Sequence, residues 1–303
     1  RSVYIVCLRD TTDRKLAEAA IRESEARYRT LVENAPEAIV VLDTDAGHFV
    51  ECNDNAVRFF KMSREELLAA GPERISPPEQ PDGTPSFGIA RGYIDRALAG
   101  EAPCFEWLHR DAHGHDIPCE VRMVRLPSSG RRLIRGSITD ITERKRGELL
   151  AIGERRVFER MTSNADLAAT LEAISETAER VTPDALCTVS TYDESAGHLR
   201  HIAGQRLSRE FLKAIGEVGI AARNGSCAAA IFLQRQVVVA EIARDALWEN
   251  LRKPALAAGL RACWSTPIRV TDGRMVGTVA LYFRQPRSPL KRDFELMARL
   301  TAL

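Results

Sequence analysis

The feature that most constrains this chain is a strand-to-helix junction that occurs twice, 130 residues apart. The first copy reads LRDTTDRK over residues 8–15, and the second reads ITDITERK over residues 138–145. Each copy follows an apolar, β-branched run that predicts a strand, and each precedes a charged stretch that predicts a helix. Solenoid repeats have periods of about 20–50 residues, so this longer spacing indicates two copies of one domain.

Acidic side chains stand at the same positions in both copies of the junction. Asp10 and Asp140 are predicted helix caps, because a carboxylate accepts hydrogen bonds from the first free N–H groups of a helix. Asp13 and Glu143 follow three residues later, where an acidic side chain can reach back as in a capping box. We therefore expect a signal junction, which fixes the end of a sheet to an outgoing helix, at Asp10, Asp13, Asp140, Thr142 and Glu143.

The length and composition are those of a globular protein. The chain has 303 residues, of which 45% are hydrophobic and 28% are charged, and domains usually contain about 100–200 residues. A net charge of +1 provides no basic surface for nucleic acid. No apolar run reaches the ~18–20 residues that span a membrane. We therefore expect about two domains that contact neither nucleic acid nor a membrane.

The cysteines indicate a reducing compartment. There are seven of them, and none forms a C-x-x-C motif. This scattered, odd set argues against a disulfide framework or a zinc ribbon, and it favours the cytoplasm. The sequence starts at Arg1 without a signal-peptide pattern and stops at Leu303 inside a helix-like run. These ends predict a fragment of a longer protein, with its C-terminal helix truncated.

Residues 27–145 carry a set of motifs typical of one known family. The motifs are NAPEAI at Asn34–Ile39, a strand–Asn53–helix step, SREEL at Ser63–Leu67, FEWLHR at Phe105–Arg110 and DITERK at Asp140–Lys145. As a set they resemble a PAS domain. The resemblance implies an α+β fold with an antiparallel five-stranded sheet and flanking helices.

Residues 163–303 resemble a different family, the GAF domain. The matching stretches are NGSCA at Asn224–Ala228, ALWEN at Ala246–Asn250, GLRACWSTPI at Gly259–Ile268 and GTVALY at Gly277–Tyr282. The resemblance implies an α+β fold with an antiparallel six-stranded sheet and helices. The matching type of GAF domain lies between PAS modules and the output domain of bacterial histidine kinases and cyclic-di-GMP enzymes.

The two resemblances divide the chain into five segments. The polar stretches on either side of the PAS segment have the composition of long helices, which we expect to carry signals between domains. The predicted order is the last strand of an upstream PAS domain at 1–12, a linker helix at 13–28, the PAS domain at 29–142, a signalling linker helix at 143–162 and the GAF domain at 163–303.

The PAS segment offers a set of apolar and aromatic residues that suit a ligand pocket. These candidates are Ile39, Val41, Phe59, Tyr93, Phe105, Trp107, Val121 and Met123. Haem-binding PAS domains similar to this one place a histidine on the helix after the variable loop, but residues 88–94 contain none. We therefore do not expect haem. A non-covalent flavin stays open as an alternative, although we favour a core that holds no cofactor.

Three histidines and a cysteine form the dense pattern H-x3-H-x-H-x3-C at His109, His113, His115 and Cys119. Zinc accepts ligands of these types in tetrahedral geometry. Gly114 marks a hairpin turn here, however, and alternation along the two strands points the side chains to different faces. Because metal ligands must converge on one point, we expect turn histidines and no metal site.

The GAF segment offers a second set of pocket candidates. They are Tyr192, His201, Cys227, Trp248, Cys263 and Trp264. The sequence matches neither the full cysteine arrangement of GAF-fold methionine sulfoxide reductases nor the ligand set of cyclic-nucleotide-binding GAF domains. We expect Cys227 and Cys263 to be small buried hydrophobes, with a redox-sensing thiol as the alternative.

No nucleophile–base pair, phosphate loop, kinase phospho-acceptor box or cyclase signature is present in the sequence. We therefore expect a cytoplasmic sensory fragment in which PAS and GAF modules sense a small ligand or redox state and form a homodimer through the linker helices. The missing output domain is expected to be a histidine kinase, with a response regulator as partner, or a diguanylate cyclase or phosphodiesterase. Two alternatives stay open: a thiol enzyme that reduces a sulfoxide or peroxide, and a ligand-free dimerisation scaffold.

Overall fold

The computed structural model describes residues 12–163 and 166–303, and the chain divides into two compact units between Lys145 and Arg146. Residues 1–11 of the predicted upstream strand, which include Asp10, lie outside the described residues, as does the side chain of Asp13. Within the described ranges, no helix is long and apolar enough to cross a membrane.

The first unit is an antiparallel sheet with flanking helices. Its elements are α1 (Thr12–Glu33), β1 (Ala38–Asp43), β2 (His48–Cys52), α2 (Asp54–Phe60), α3 (Arg64–Leu68), α4 (Ser86–Leu98), β3 (Cys104–Arg110), β4 (Asp116–Leu126) and β5 (Leu133–Asp140). The strands pair in the order β2-β1-β5-β4-β3. This arrangement confirms the predicted five-stranded antiparallel sheet.

The side chain of Asn53 joins three elements of the first unit. It is fully buried, and its amide donates to the carbonyl oxygens of Val32 and Glu37, each at 3.0 Å. Its oxygen accepts from the N–H of Ile39 at 3.0 Å and from the N–H of Ala56 at 2.9 Å. The end of α1, the start of β1 and the first turn of α2 are therefore fixed to one another.

His109 is a buried histidine in the core of the first unit. Its Nδ1 lies 2.8 Å from the carbonyl oxygen of Ile75, and its ring meets that of Phe60 edge-on. Its Nε2 is buried and has no hydrogen-bond partner among the described residues. Burial lowers the pKa of His109 to about 4 because the charged imidazolium is poorly solvated there.

Asp111 holds the turn between β3 and β4. Its side chain is fully buried, and one carboxylate oxygen accepts from the N–H groups of His113 and His115, both at 2.9 Å. The other oxygen lies 2.5 Å from the Lys61 ammonium. Burial opposes ionisation, yet Lys61 and these hydrogen bonds hold the pKa of the Asp111 carboxyl well below its usual value.

The second unit is an antiparallel sheet with helices on both faces. Helix α5 (Thr142–Thr162) begins in the first unit and continues into the second. The next elements are α6 (Leu167–Val181), β6 (Ala185–Asp193), β7 (His198–Ala203), α7 (Arg209–Ala214), β8 (Glu217–Gly219) and α8 (Gly225–Phe232). They are followed by β9 (Val237–Val239), a 3-10 turn (Ala246–Trp248), α9 (Arg252–Ala257), β10 (Ala262–Arg269), β11 (Met275–Phe283) and α10 (Lys291–Leu300). The strand order β8-β7-β6-β11-β10-β9 confirms the predicted six-stranded sheet.

The two faces of the second sheet carry different side chains. Because side chains alternate along a strand, Trp264 and Leu281 point to the face covered by α5, α6 and α10. Cys263 and Tyr282 point to the opposite face, which α7, α8 and α9 cover. We call these the bundle face and the cavity face. Strands β10 and β11 pair through the Asp272-Gly273 turn, as that dipeptide predicts.

Helix α5 packs closely on α6 at a glycine. A Cβ atom added to Gly153 would lie 2.1 Å from Cγ2 and 2.8 Å from Cβ of Thr177. Leu150 and Val157, one turn away on either side, are buried in the same core. Only glycine therefore permits this distance between the two helices.

We expect Gly153→Ala to lower the free energy of unfolding of the second unit by about 1–3 kcal/mol, because the added methyl overlaps Thr177. Gly147→Ala is the matched control on the same helix, since no atom lies within 4 Å of the added methyl. That control should raise stability by about 0.5–1 kcal/mol through helix propensity. Urea unfolding followed by circular dichroism measures the free energy of unfolding of both variants. Equal changes in the same direction for Gly153→Ala and Gly147→Ala would contradict the close packing at Gly153.

His109 predicts a pH dependence of stability. The unfolded chain takes up a proton near the ordinary pKa of 6.5, whereas the folded chain does so only near 4. The free energy of unfolding should therefore fall by about 3 kcal/mol as the pH drops from 6.5 to 4. Chemical unfolding at a series of pH values measures this slope. The His109→Gln variant should show a flatter dependence of the free energy of unfolding on pH. The control His48→Gln, at an exposed position, should keep the slope of the unaltered protein. An unchanged slope in His109→Gln would show that another group is responsible.

Candidate functional site

The aromatic candidates in the PAS segment pack against one another. The rings of Tyr93 and Phe105 stack with their centroids 3.5 Å apart and an interplanar angle of 3°. Trp107 meets Phe105 edge-on at 5.8 Å. Six of the eight predicted pocket residues come together in this core: Phe59, Tyr93, Phe105, Trp107, Val121 and Met123. They fill the inner face of the sheet, so any ligand there requires these rings to move.

Ile39 and Val41 lie on the other face of the same sheet. Alternation along β1 turns Val40 and Leu42 toward the aromatic core, which leaves the odd-numbered residues on the opposite side. Ile39 and Val41 line a groove of about 470 Å³ together with Tyr28 of α1. The structure therefore separates these two residues from the other six PAS candidates.

An open cleft runs along the rim of the aromatic core. Two adjoining spaces of about 270 and 310 Å³ share walls formed by residues 72–73, Phe87 and Ala90. Trp107 closes one end, where its Nε1 donates to Oγ of Ser76 at 3.1 Å. A further space of about 500 Å³ is lined by two of the predicted pocket residues, Tyr93 and Trp107, so more than one accessible space borders the predicted PAS pocket.

The side chains of the H-x3-H-x-H-x3-C pattern do not converge on one point. His109 points into the core, whereas His113 and His115 lie at the exposed turn with ring centroids 6.2 Å apart. Cys119 is buried, and burial raises the pKa of its thiol to about 12. Among residues 12–163 and 166–303, no three histidine, cysteine or acidic side chains are arranged to hold a metal ion.

The junction at Asp140 is held by more groups than the sequence indicated. Oδ1 of Asp140 accepts from the N–H of Thr142, the first residue of α5, at 2.7 Å. Glu106 of β3 binds the same first turn, with its carboxylate 3.1 Å from Arg144 and 2.5 Å from Lys145. These contacts, Lys145 first, lower the pKa of the Glu106 carboxyl. Glu106 was missed because nothing local to it in the sequence points to a helix 38 residues away.

The cavity face of the second sheet encloses a small space under α8. Cys227 and Trp248, both sequence candidates, line it together with Ser226 and Tyr282. Trp248 Nε1 donates to Oγ of Ser226 at 2.9 Å, and Cys227 Sγ lies 3.8 Å from the Tyr282 hydroxyl. The free volume is about 20 Å³, which is room for about one water molecule.

Cys263 and Trp264 follow each other on β10 and therefore point to opposite faces. Cys263 lies behind Ser226, whose Oγ is 3.5 Å from the Cys263 carbonyl oxygen. Burial raises the pKa of the Cys263 thiol well above its usual value, so it lacks the thiolate that nucleophilic chemistry needs. Trp264 is in the bundle-face core, where its Nε1 donates to the carbonyl of Arg287 at 3.2 Å. Trp264 therefore does not line the cavity.

Tyr192 and His201 lie at the margin of the cavity face. Tyr192 is half-buried and packs against a small cluster formed by Leu199, Ala228 and Ile231. His201 is half-buried too, and burial lowers its pKa. Its Nδ1 has no hydrogen-bond partner among the described residues. Neither side chain lines the small space under α8.

Sequence reasoning missed Ser190, Ser226 and Tyr282 as cavity residues. Ser226 and Tyr282 belong to stretches that resemble GAF sequences, so their position in the chain was available as a signal. Ser190 had no such signal, because a serine in a strand is equally common on an exposed face. Its role follows only from the pairing of β6 with β11, which places it opposite Thr278.

Family comparisons assign both units. Residues 32–146 match the family model described as PAS fold, and residues 164–303 match the one described as GAF domain. Over 185 residues the chain is 32% identical to the methyl sulfide methyltransferase-associated sensor of Methanosarcina acetivorans, a match covering 59% of this chain and 18% of that protein. Over 65 residues it is 34% identical to sporulation kinase E of Bacillus subtilis, covering 22% and 9% respectively. The chain thus spans less than a fifth of the length of either relative.

Solved structures match each unit separately. The PAS domain of an HTR-like protein from Haloarcula marismortui aligns with 42% of this chain and 99% of its own length, at 23% identity and a TM-score of 0.35. The GAF domain of an Acinetobacter phosphoenolpyruvate-protein phosphotransferase aligns with 52% of this chain and 89% of its own, at 13% identity and a TM-score of 0.41. The family matches and the two sheets together show that this chain belongs to the PAS and GAF families, with a PAS domain at residues 32–146 followed by a GAF domain at residues 164–303.

Proposed function

We propose that this chain is the cytoplasmic sensory part of a signal-transduction protein, in which a change in the PAS or GAF domain passes through α5 to an output domain. Two relatives support this proposal by their names, one a sensor and the other a kinase. A histidine kinase is the output that fits the second relative, and its partner would be a response regulator.

The observation that carries the proposal is the way α5 is shared. Its first turn is tied to the PAS sheet, through Asp140 and through the ion pairs of Glu106 with Arg144 and Lys145. These pairs are partly exposed, with 49% of the Glu106 side chain accessible, and exposed ion pairs are weak. A small change at the edge of the PAS sheet can therefore release or re-form this attachment.

The rest of α5 belongs to the interior of the GAF unit. Leu150 and Val157 are buried in the bundle-face core, and Glu154 binds Arg299 of α10 through both carboxylate oxygens at 2.9 and 2.8 Å. Because Gly153 leaves no free space against Thr177, a shift of α5 displaces α6 with it. The helix thus couples a weak contact in one domain to a tight one in the other.

Exposed apolar side chains on α5 support association of two copies along this helix. Ile152, Phe158 and Met161 are 59%, 55% and 52% exposed. Large apolar groups repeated along one helix are unusual on a surface that stays in water. A homodimer formed by the linker helices would cover Phe158 and Met161, which lie on one side of α5, whereas Ile152 is nine residues from Met161 and points to the other side. Such a dimer would also bring two output domains together.

Glu106→Gln tests the transmission step. The variant removes the charge that binds Arg144 and Lys145, so amide exchange in the first turn of α5 should become roughly two- to fivefold faster, while exchange in β1 and β5 stays unchanged. Asp140→Ala, which removes the bond to Thr142, should act in the same direction and cost about 0.5–2 kcal/mol of helix stability. In the full-length parent protein, both variants should alter kinase autophosphorylation.

Glu101→Gln is the matched control. Glu101 forms an equally exposed ion pair with Arg96, at 2.7 Å and with both side chains 53% exposed, but it does not touch α5. It should change neither exchange in α5 nor autophosphorylation. If Glu106→Gln behaves like this control in both measurements, α5 does not transmit signals by this contact and the proposal fails.

A further inference from the structure

Strand β3 forms one edge of the first sheet, and only part of that edge is covered. Leu108 donates its N–H to Oε1 of Gln80 at 2.8 Å, and its carbonyl oxygen accepts from Nε2 of Gln80 at 3.3 Å. The N–H of Arg110 donates to the carbonyl oxygen of Ile75 at 2.9 Å. The loop before α4 therefore closes the second half of the edge, where the Gln80 amide takes the place of a peptide group of a neighbouring strand.

The first half of the same edge is open. The backbone N–H and C=O groups of every second residue point to the same side of a strand, so Cys104 and Glu106 present theirs on the side that Leu108 faces. The residues between them bond to β4, as does Pro103, whose carbonyl oxygen accepts from the N–H of Met123 at 3.0 Å. Among the described residues, no turn or loop bonds to the edge-facing groups of Cys104 and Glu106, and both residues are exposed. Two successive edge positions are thus available to an added strand.

The space of about 500 Å³ that borders the PAS pocket forms a groove at the open half of the edge. Glu106, Trp107 and Leu108 of β3 line it. Side chains of an added strand would point alternately to the two faces of the sheet. Apolar groups are available on both sides of the groove, from α4 and from the ends of β4 and β5: Ile89, Tyr93, Pro118 and Ile141.

The charges at the groove determine which partner fits. Three charged residues line it, namely Asp82, Glu106 and Lys145. Two of them are acidic, and the Asp82 carboxylate accepts from the N–H of Thr84 but meets no basic side chain among the described residues. Glu120 of β4 stands directly opposite Glu106 and adds a third carboxylate. A basic residue on an added strand is therefore attracted to this edge, and an acidic one is repelled.

We infer that the open half of β3 binds an extended segment of a partner protein as an antiparallel sixth strand, and that this segment carries a lysine or arginine between two apolar residues. Its backbone bonds to the edge-facing groups of Cys104 and Glu106. Its basic side chain lies against Glu106, and the apolar side chains on either side turn to the face that carries Trp107. Strand β3 of a second copy is a poorer occupant, because self-pairing places two Glu106 carboxylates on the same face of adjoining strands.

Binding at this edge competes with the attachment of α5. The Glu106 carboxylate lies 3.1 Å from Arg144 and 2.5 Å from Lys145, and a base supplied by the partner segment draws on the same carboxylate. These ion pairs are exposed, so exchanging one base for another costs little free energy. This consequence rests on the proposed function, since it makes the segment a regulator of the contact that couples α5 to the PAS sheet.

A titration of this chain against the peptide TVKVT, followed by fluorescence anisotropy, tests the inference. The peptide carries fluorescein at its N-terminus and an amide at its C-terminus, and it should bind saturably. Two control peptides should each bind at least about tenfold more weakly. TVEVT places a carboxylate against Glu106, and TVKVT with an N-methyl group on the lysine amide loses a hydrogen bond to the edge.

Variants of the chain test the same contacts from the other side. Cys104→Pro removes an N–H that points away from β4, a change that edge strands tolerate, and it should weaken binding of TVKVT about three- to tenfold. Asp82→Asn should weaken binding about two- to fivefold, because it removes one carboxylate from the groove. Glu51→Gln, at an exposed position of the opposite edge strand β2, is the matched control and should leave binding unchanged.

Three results would each overturn the inference. The first is the absence of saturable binding of TVKVT. The second is equal affinity for TVKVT and its N-methylated form, which would show that the peptide does not bind as a strand. The third is a dimer that Cys104→Pro converts to a monomer in sedimentation velocity, which would show that a second copy occupies the edge. The peptide comparisons need no variant, so they decide the question even if Cys104→Pro does not fold. The Glu106→Gln exchange measurements on α5 use no peptide, so the proposed function can survive each of these results.

Discussion

The buried side chain of Asn53 is the interaction on which the PAS domain depends. An asparagine amide has two donors and a carbonyl oxygen with two acceptor sites, and all four are used, toward Val32, Glu37, Ile39 and Ala56. Aspartate in the same place would lack the two donors and would bury a charge. Because Asn53 itself is fully buried, breaking any of these bonds leaves a polar group of its side chain unsatisfied. The end of α1 and the sheet therefore behave as one body.

The start of α5, where the chain leaves the PAS domain, is held by exposed ion pairs and not by buried hydrogen bonds. Glu106 holds the first turn of α5 through exposed charges, whose attraction is screened by water and salt. Beyond that turn, Gly153 sets a steric contact with Thr177 that tolerates no added atom. A weak electrostatic attachment followed by a close-packed one is the arrangement in which a small rearrangement at one end produces a defined displacement at the other.

The two faces of the GAF sheet are covered by different helices. The bundle face holds the apolar core that contains Trp264. The cavity face carries Ser265 and Thr278, whose buried hydroxyls have no partner among the described residues and therefore cost free energy. Thr266, on the bundle face, also has a hydroxyl without a partner among these residues, so hydrophobic packing on both sides compensates for unpaired polar groups.

The sequence by itself determined the two domains, the sheets and many turns, because hydrophobic periodicity, caps and dipeptides such as Asp272-Gly273 act over a few residues. It also determined that neighbours such as Cys263 and Trp264 face opposite sides. Only the tertiary structure decided which side is the cavity, and so excluded Trp264 from it and moved Ile39 away from the aromatic core. It also decided that Glu106 meets α5. Such pairings depend on how strands and helices stack in space, a property that no local pattern of residues contains.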